Sequence, residues 1–293
     1  MRTEILDLDN SVANQPELGK EVKRKHDLTE WGPKIRMGCA YWRFSSFARN
    51  VPNSDRPRLS FIGSGDFHHV TLALLKKIQE PFHLVILDKH PDWVKLMPIM
   101  HCGTWLSHAL KLPQVKNVYH FGGDLDFDNF LQNLAPRGAL KSGRVKVFPS
   151  HRTYTKGFWK KISHQPLRPD AAKSCTDENI KELLKPHAEE LSKYPLYISV
   201  DKDVMRVGDS VVNWDSGLLR LKEIELLISN LIEINGQPLV GADIVGDWSR
   251  VRLRGPLREM LDWSEHPVLD VDPKFSLETN QSTNLRLLDL FKG

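Results

Sequence analysis

The sequence predicts an α/β protein of three layers, with helices on both faces of a mostly parallel central sheet. Three observations predict it. From residue 58 onward, short apolar runs alternate with segments of helical period, as strand–helix–strand crossovers require. The runs are continuously apolar rather than alternating, which suits strands covered on both faces. Carboxylates and imidazoles gather just past the ends of those runs, where open α/β sheets bind ligands.

Residues 1–57 show no clear period. They are polar at first, then carry Trp31, Tyr41, Trp42, Phe44 and Phe47. They are expected to form an N-terminal extension packed on the core, with 58–293 as a single domain. Within that domain Leu59 to Gly63 reads as a strand, and Val70 to Ile78 as a helix. Phe82 to Leu87 is the next strand, Thr104 to Leu110 a helix, and Asn117 to Phe121 a strand. Arg144 to Phe148 alternates again. Glu178 to Leu191 reads as a charged amphipathic helix, with Thr176 as N-cap and acidic residues in its first turn. Leu196 to Val200 is a strand, Lys222 to Ile232 a helix, and Leu239 to Val245 the final strand. The stretch after Gly255 mixes Pro, acidic and apolar residues and is not assigned.

A net charge of +4 over 293 residues is too mild to argue for a nucleic-acid partner. No apolar run approaches the roughly 20 residues that cross a bilayer, so no membrane partner is expected. Acidic residues within Met1 to Asn10 stand where a signal peptide would be basic and apolar. Cys39, Cys102 and Cys175 are far apart and form no disulfide framework. A reducing cytoplasm is the expected location.

The chemistry is concentrated in four segments. Asp88, His90 and Asp92 leave the end of the Phe82 strand on alternate residues, and an extended backbone would turn all three to one side. Asp201 and Asp203 do the same after Leu196 to Val200. His68 and His69 lie in GSGDFHH after the Leu59 strand, and His101 opens HCGTW. Carboxylate and imidazole suit Mn, Fe or Zn, with Mn2+ favoured where oxygen donors dominate and Zn2+, Fe2+ or Ni2+ as alternatives. Four carboxylates call for two divalent cations, since one would leave the site strongly anionic. Such pairs sit about 3.5–4 Å apart, and a hydroxide bridging them is a nucleophile near neutral pH. His101 is the candidate proton shuttle.

Each segment alone has a blander reading. Asp201 and Asp203 alone are a solvated strand end, and His68 or His69 alone caps a helix. Together, at strand ends on one sheet edge, they point to a metal centre. Asp124, Asp126 and Asp128 are read as loop residues, and Cys102 as a buried small residue. Pleating turns Lys89 and Lys202 away from the metals, so both are read as structural.

At these residues the chain resembles the arginase/agmatinase (ureohydrolase) family, as a divergent member. That family carries, in order, Gly-Gly-Asp-His, Asp-Ala-His-x-Asp, His-Gly and Ser-x-Asp-x-Asp. Here the order is GSGDFHH, DKHPD, HCGTW and Ser199 to Asp203. The resemblance implies an arginase/deacetylase-like α/β fold over residues 58–293. It also implies a binuclear Mn site and hydrolysis of a C–N bond, other than a peptide bond, in a guanidino or related amine or amino-acid substrate. One ion would be held by His68, Asp88, Asp92 and Asp201, the other by His90, Asp88, Asp201 and Asp203. His101 and Asp203 would be catalytic, and Asp247 and His69 are the candidates for holding a small-molecule substrate. Asn213 to Leu218 resembles the family's Gly-Gly-Leu/Met loop. Family members often form trimers or hexamers, which extends the expectation to a homo-oligomer.

The chain also departs from the family. Phe67 is an extra residue before the histidine pair, and Arg206-Val207 stands where the family has Asp-Pro. Gly246 stands at the place of a glutamate that helps hold the guanidinium. Two alternatives follow: a deacetylase-like amidohydrolase with one zinc, suggested by His68-His69, and a non-catalytic binding protein.

Overall fold

The computed structural model describes residues 1–94, 99–123, 134–151, 164–168, 173–250 and 271–293, and ten strands organise these described residues. They are β1 (Arg2–Asp7), β2 (Arg24–Asp27), β3 (Gly38–Ala40), β4 (Arg58–Gly63), β5 (Phe82–Leu87), β6 (Ile99–His101), β7 (Val115–Gly122), β8 (Val145–Pro149), β9 (Leu196–Asp201) and β10 (Gly241–Val245). Eight of them form one sheet in the order β2-β1-β4-β10-β9-β5-β7-β8. Every neighbouring pair in it is parallel. β3 and β6 pair antiparallel in a separate ribbon.

Alternate side chains along a strand feed two cores, one per face. In β5, Phe82, Leu84 and Ile86 enter one core, and Val85 and Leu87 the other. Leu196, Ile198 and Val200 of β9 join Val85 and Leu87, packed with Ile180, Leu184, Ile224, Ile228, Leu287 and Leu288 from helices. Burying a side chain of this size contributes about 1.5–3 kcal/mol. Coverage on both faces is why these strands read as unbroken apolar runs. The architecture is the three-layer, parallel-sheet α/β fold.

The first 57 residues correct the sequence reading. β1 lies inside the sheet, between β2 and β4, so this segment is no appendage packed on the outside. Its polar residues disguised it. Glu4 is buried and takes hydrogen bonds from Ser60 Oγ (2.8 Å) and Arg58 Nη1 (3.2 Å). A strand whose charges are satisfied by its neighbours carries no apolar period.

Helix limits follow local chemistry. Thr176 Oγ1 accepts from Asn179 N (3.3 Å) and starts the helix Asp177–Leu184. The single helix expected through Leu191 is interrupted by the 3-10 turn Lys185–His187, because Pro186 offers no backbone donor. The helix Leu221–Asn235 ends at Gly236, whose φ of 65° is left-handed. The helix Pro273–Lys292, capped by Asp272, occupies part of the stretch left unassigned.

Candidate metal centre

β5 and β9 are neighbours, with Ile86 opposite Ser199 and Leu87 opposite Val200. The next pair in that register is Asp88 and Asp201. Both continue the face that carries Ile86 and Tyr197, so they stand side by side at the carboxyl edge. The chain then turns after each strand, and the two turns lock together. Asp203 N donates to Asp201 Oδ1 (3.0 Å), and Lys89 N donates to Asp203 Oδ1 (3.0 Å). This brings His90 Nδ1 to 2.6 Å from Asp203 Oδ2 and 3.9 Å from Asp88 Oδ1.

Asp92 arrives differently from the extended route expected of it. Its φ of 50° is left-handed, so the chain doubles back after Pro91. Trp105 Nε1 donates to its Oδ2 (2.6 Å), and Leu106 N to its carbonyl (3.0 Å). The folded-back carboxylate lies 2.9 Å from His68 Nδ1. His68 itself follows the short 3-10 turn Gly65–Phe67 at the end of β4. Its Nδ1 is 3.1 Å from Asp88 Oδ2 and 3.5 Å from Asp201 Oδ2. The ring leans on Trp105 at 4.8 Å between centroids.

The six expected ligands therefore come together. Among the described residues, two groups have ligand atoms close enough to share an ion: His68, Asp88 and Asp92, and Asp88, His90 and Asp203. Asp88 belongs to both, and Asp201 borders the first.

The hydrogen bonds behind the ligands suit a cation. His68 Nε2 is 3.0 Å from Ser199 Oγ, which donates to Asp243 Oδ1 (2.8 Å). Asp243 also accepts from Thr71 Oγ1 (3.0 Å) and Tyr197 Oη (2.6 Å). With Nε2 so engaged, Nδ1 is the nitrogen turned toward the carboxylates, and on losing its proton it would be the one to bind a metal, the usual arrangement of a metal-bound histidine. His68 Nδ1 and Asp88 Oδ2 are both buried without an aligned hydrogen bond. Imidazole and carboxylate donors around such atoms fit Mn2+, Fe2+ or Zn2+.

Electrostatics point the same way. Burial, then Asp92, pushes the Asp88 carboxyl up to about 6. Burial, then Asp203, pushes Asp201 up to about 7. Burial opposes charge on His68, but Asp88 and Asp92 hold its imidazole well above the ordinary value. Burial likewise opposes charge on His90, where Asp203 overcomes it. These are acids and bases sharing protons in a space that divalent cations would relieve, so metal binding would release protons.

His101 ends β6, opposite Gly38 of β3. Gly103 N donates to its Nδ1 (3.0 Å), which leaves Nε2 to carry the proton. Cys102 is buried, and burial followed by Asp92 pushes its thiol well above the ordinary value. It stays protonated and is a poor ligand.

Two candidates are corrected. His69 is 0% exposed and packs on Phe44 (5.9 Å), where no substrate reaches it. It follows His68 at the start of a helix, so its ring turns about 100° away around the axis. Burial depresses it to about 3. Asp247 is also buried, and its Oδ1 is held by Lys202 Nζ (3.0 Å), Gln15 Nε2 (2.7 Å) and Asn284 Nδ2 (3.0 Å). It is an internal ion-pair partner rather than a pocket rim. Asp124, Asp126 and Asp128 lie outside the described residues.

Gly246, the residue just after β10, lies against Asp201. Its φ is 96°, and a Cβ there would sit 2.6 Å from Asp201 Oδ1 and 2.7 Å from Lys202 N. Asp201 excludes any larger residue from this place.

Sequence reasoning missed Asp215, whose Oδ1 is 3.5 Å from His90 Nε2 and whose other oxygen takes Lys89 Nζ. It also missed Asp243. The signal for Asp243 was present: an acid within the apolar strand GADIV, two residues from each end, is costly without donors.

No family model matches the chain. An uncharacterized protein of Thermotoga maritima is 27% identical over 189 residues, which is 64% of this chain and 58% of that relative. The match thus spans less than two thirds of the curated relative's length. Among solved structures, an arginase from Bacillus subtilis superposes with a TM-score of 0.53 at 16% identity, over 99% of this chain and 97% of its own. Arginase from Bacillus caldovelox gives a TM-score of 0.53 at 15% identity, over 100% and 99% of the two chains. Helicobacter pylori arginase gives 0.53 at 13% identity, over 99% and 98%. By its sheet and by these superpositions, the chain is a divergent member of the ureohydrolase fold.

Proposed function

We propose that this chain is a metal-dependent hydrolase that cleaves a C–N bond in a small guanidino or related amine or amino-acid substrate. The observation that carries the reading is the pairing of Asp88 with Asp201 on adjacent strands, flanked by His68 and His90. Of two divalent cations, Mn2+ first, one would be held by His68, Asp88, Asp92 and Asp201, the other by His90, Asp88, Asp201 and Asp203. Bound there, they would supply Lewis acidity and a water deprotonated near neutral pH.

The chain's own groups do the rest. Ser199 and Asp243 orient His68, and Asp215 faces the outer nitrogen of His90. Asp203, with Oδ1 on Lys89 N and Oδ2 toward His90, keeps both oxygens fixed. Trp105, fully buried against His68, keeps bulk water from that side, and Trp214 packs edge-on against the more exposed His90. His101 Nε2 holds the proton that the departing amine needs. Three buried free cysteines favour a reducing compartment such as the cytoplasm, and no helix among the described residues is long and apolar enough to cross a membrane.

The test is metal content after purification without chelator, with urea or ammonia release measured from guanidino compounds and acetate release from acetylated amines. Two ions per chain and turnover of a guanidino or related substrate are expected. A protein that takes up no divalent metal would sink the reading. One zinc with acetate release would establish the deacetylase-type alternative, which His69 does not support because it faces away from the ligands. A second reading, a metal-binding protein without ureohydrolase turnover, is favoured by Gly246, where the family's guanidinium-holding glutamate has no room. Two ions with no turnover on the whole panel would establish it.

A further inference from the structure

We propose that Lys202 is a positioning residue of the metal centre, clamping the turn that carries Asp201 and Asp203 to the helix Pro273–Lys292 through a buried polar cluster. The proposal rests on the two-cation reading above and deepens it.

Lys202 stands between two ligands and faces the opposite way. The residues before it on that face are Leu196, Ile198 and Val200, all in the apolar core. The pattern calls for another apolar residue, yet the position holds a lysine that is 0% exposed. Its Nζ lies 3.0 Å from Asp247 Oδ1 and donates to Asn280 Oδ1 (3.2 Å). Gln15 and Asn284 complete the shell of Asp247. Asn280 also grips the Val211 backbone from both sides, at 3.1 and 2.7 Å. Ser210 Oγ donates to the Lys202 carbonyl (2.7 Å), so the next loop is tied to the same residue.

A buried ion pair of this kind adds little net stability over well-packed apolar side chains, because both charges lose their water. What it adds here is direction. A methionine could rotate within the core, whereas the ammonium must meet Asp247 and Asn280 at fixed points. The peptide that follows is thereby held where Asp203 N reaches Asp201 Oδ1 and Asp203 Oδ2 reaches His90. The cluster draws on residues 15, 202, 247, 280 and 284, so segments remote in sequence fix the ligand geometry.

The experiment is calorimetric titration of the metal-free full chain with Mn2+ for wild type, K202M and K202M/D247N, with thermal unfolding in chelator alongside. K202M leaves Asp247 buried and unpaired, so it lowers both stability and affinity. K202M/D247N removes the stranded charge and keeps a side chain that Gln15 can bond. It is expected to recover chelator-state stability while still binding at least one Mn2+ about 10–100-fold more weakly, the usual loss when a group orienting a ligand is removed. A double variant that binds both ions as tightly as wild type would overturn the proposal and leave Lys202 as a neutraliser of Asp247. Wild type that binds no Mn2+ would instead overturn the metal-centre reading itself.

Discussion

His68 and His90 face carboxylates across the same two strands, yet the side chain of the first is 1% exposed and that of the second 28%. The inner half is built by sheet register. Ser199 and Asp243, on paired strands, hold His68, and Trp105 holds Asp92. The outer half is built by turns. His90 meets Asp203 on one side and, on the other, Asp215, whose side chain is 64% exposed and tied to Lys89. Register fixed by a buried sheet is stiff, whereas an exposed ion pair is screened and contributes about 0–1 kcal/mol. With two ions bound as proposed, the inner half is expected to be the tighter site, and the outer half, where His90 is exposed, the side open to solvent.

The largest effect expected is from Asp88→Ala, since Asp88 serves both halves. Mn2+ stoichiometry should fall toward zero, and hydrolysis should fall below detection. A variant that keeps one tightly bound ion would show that the halves do not share this carboxylate. Next comes metal itself. Saturation at about 100 times the dissociation constant stabilises the fold by about 2.7 kcal/mol per ion, so chelator should lower the melting temperature and Mn2+ restore it. An unchanged melting curve would mean that the cluster holds no ion.

Two substitutions test the asymmetry. Ser199→Ala frees His68 Nε2 and should weaken one ion about 10–100-fold. Asp215→Asn should cost at most about fivefold, the ceiling for an exposed pair worth roughly 1 kcal/mol. Titrations in which Asp215→Asn is the more damaging would reverse the assignment of the stiff half.

The smallest effect lies far along the sheet and gives a background for pH studies of the centre. His164 stacks on Phe148 (4.6 Å), and burial, then His187 and Lys146, depress its imidazole from 6.5 to about 4. A depressed imidazole leaves stability intact above the unfolded value. As pH falls from about 6.5 to about 4 the unfolded chain takes up the proton first, and stability declines. Because His164 is only partly buried, the loss is discounted to about 1 kcal/mol. His164→Phe should flatten denaturation midpoints over that interval without changing Mn2+ affinity. A coupled change in affinity would place His164 in the workings of the centre.

Most of the centre was legible because its ligands follow strands whose apolar runs announce themselves. β4, β5, β9 and β10 needed no partner to be recognised, and side chains just past their ends share a face by the two-residue period. Asp92 was placed with its partners by pattern, but it arrives through a left-handed turn that the pattern does not describe.

The amino-acid order alone thus determined the layered fold and the acids and imidazoles that meet, since strand period and apolar content are local properties. Only the tertiary structure decided that β1 joins the sheet, that Asp247 turns inward to Lys202, and that Asp201 leaves no room at Gly246. Each of these depends on which distant residue is brought within about 3 Å, a distance set by packing rather than by neighbours in the chain.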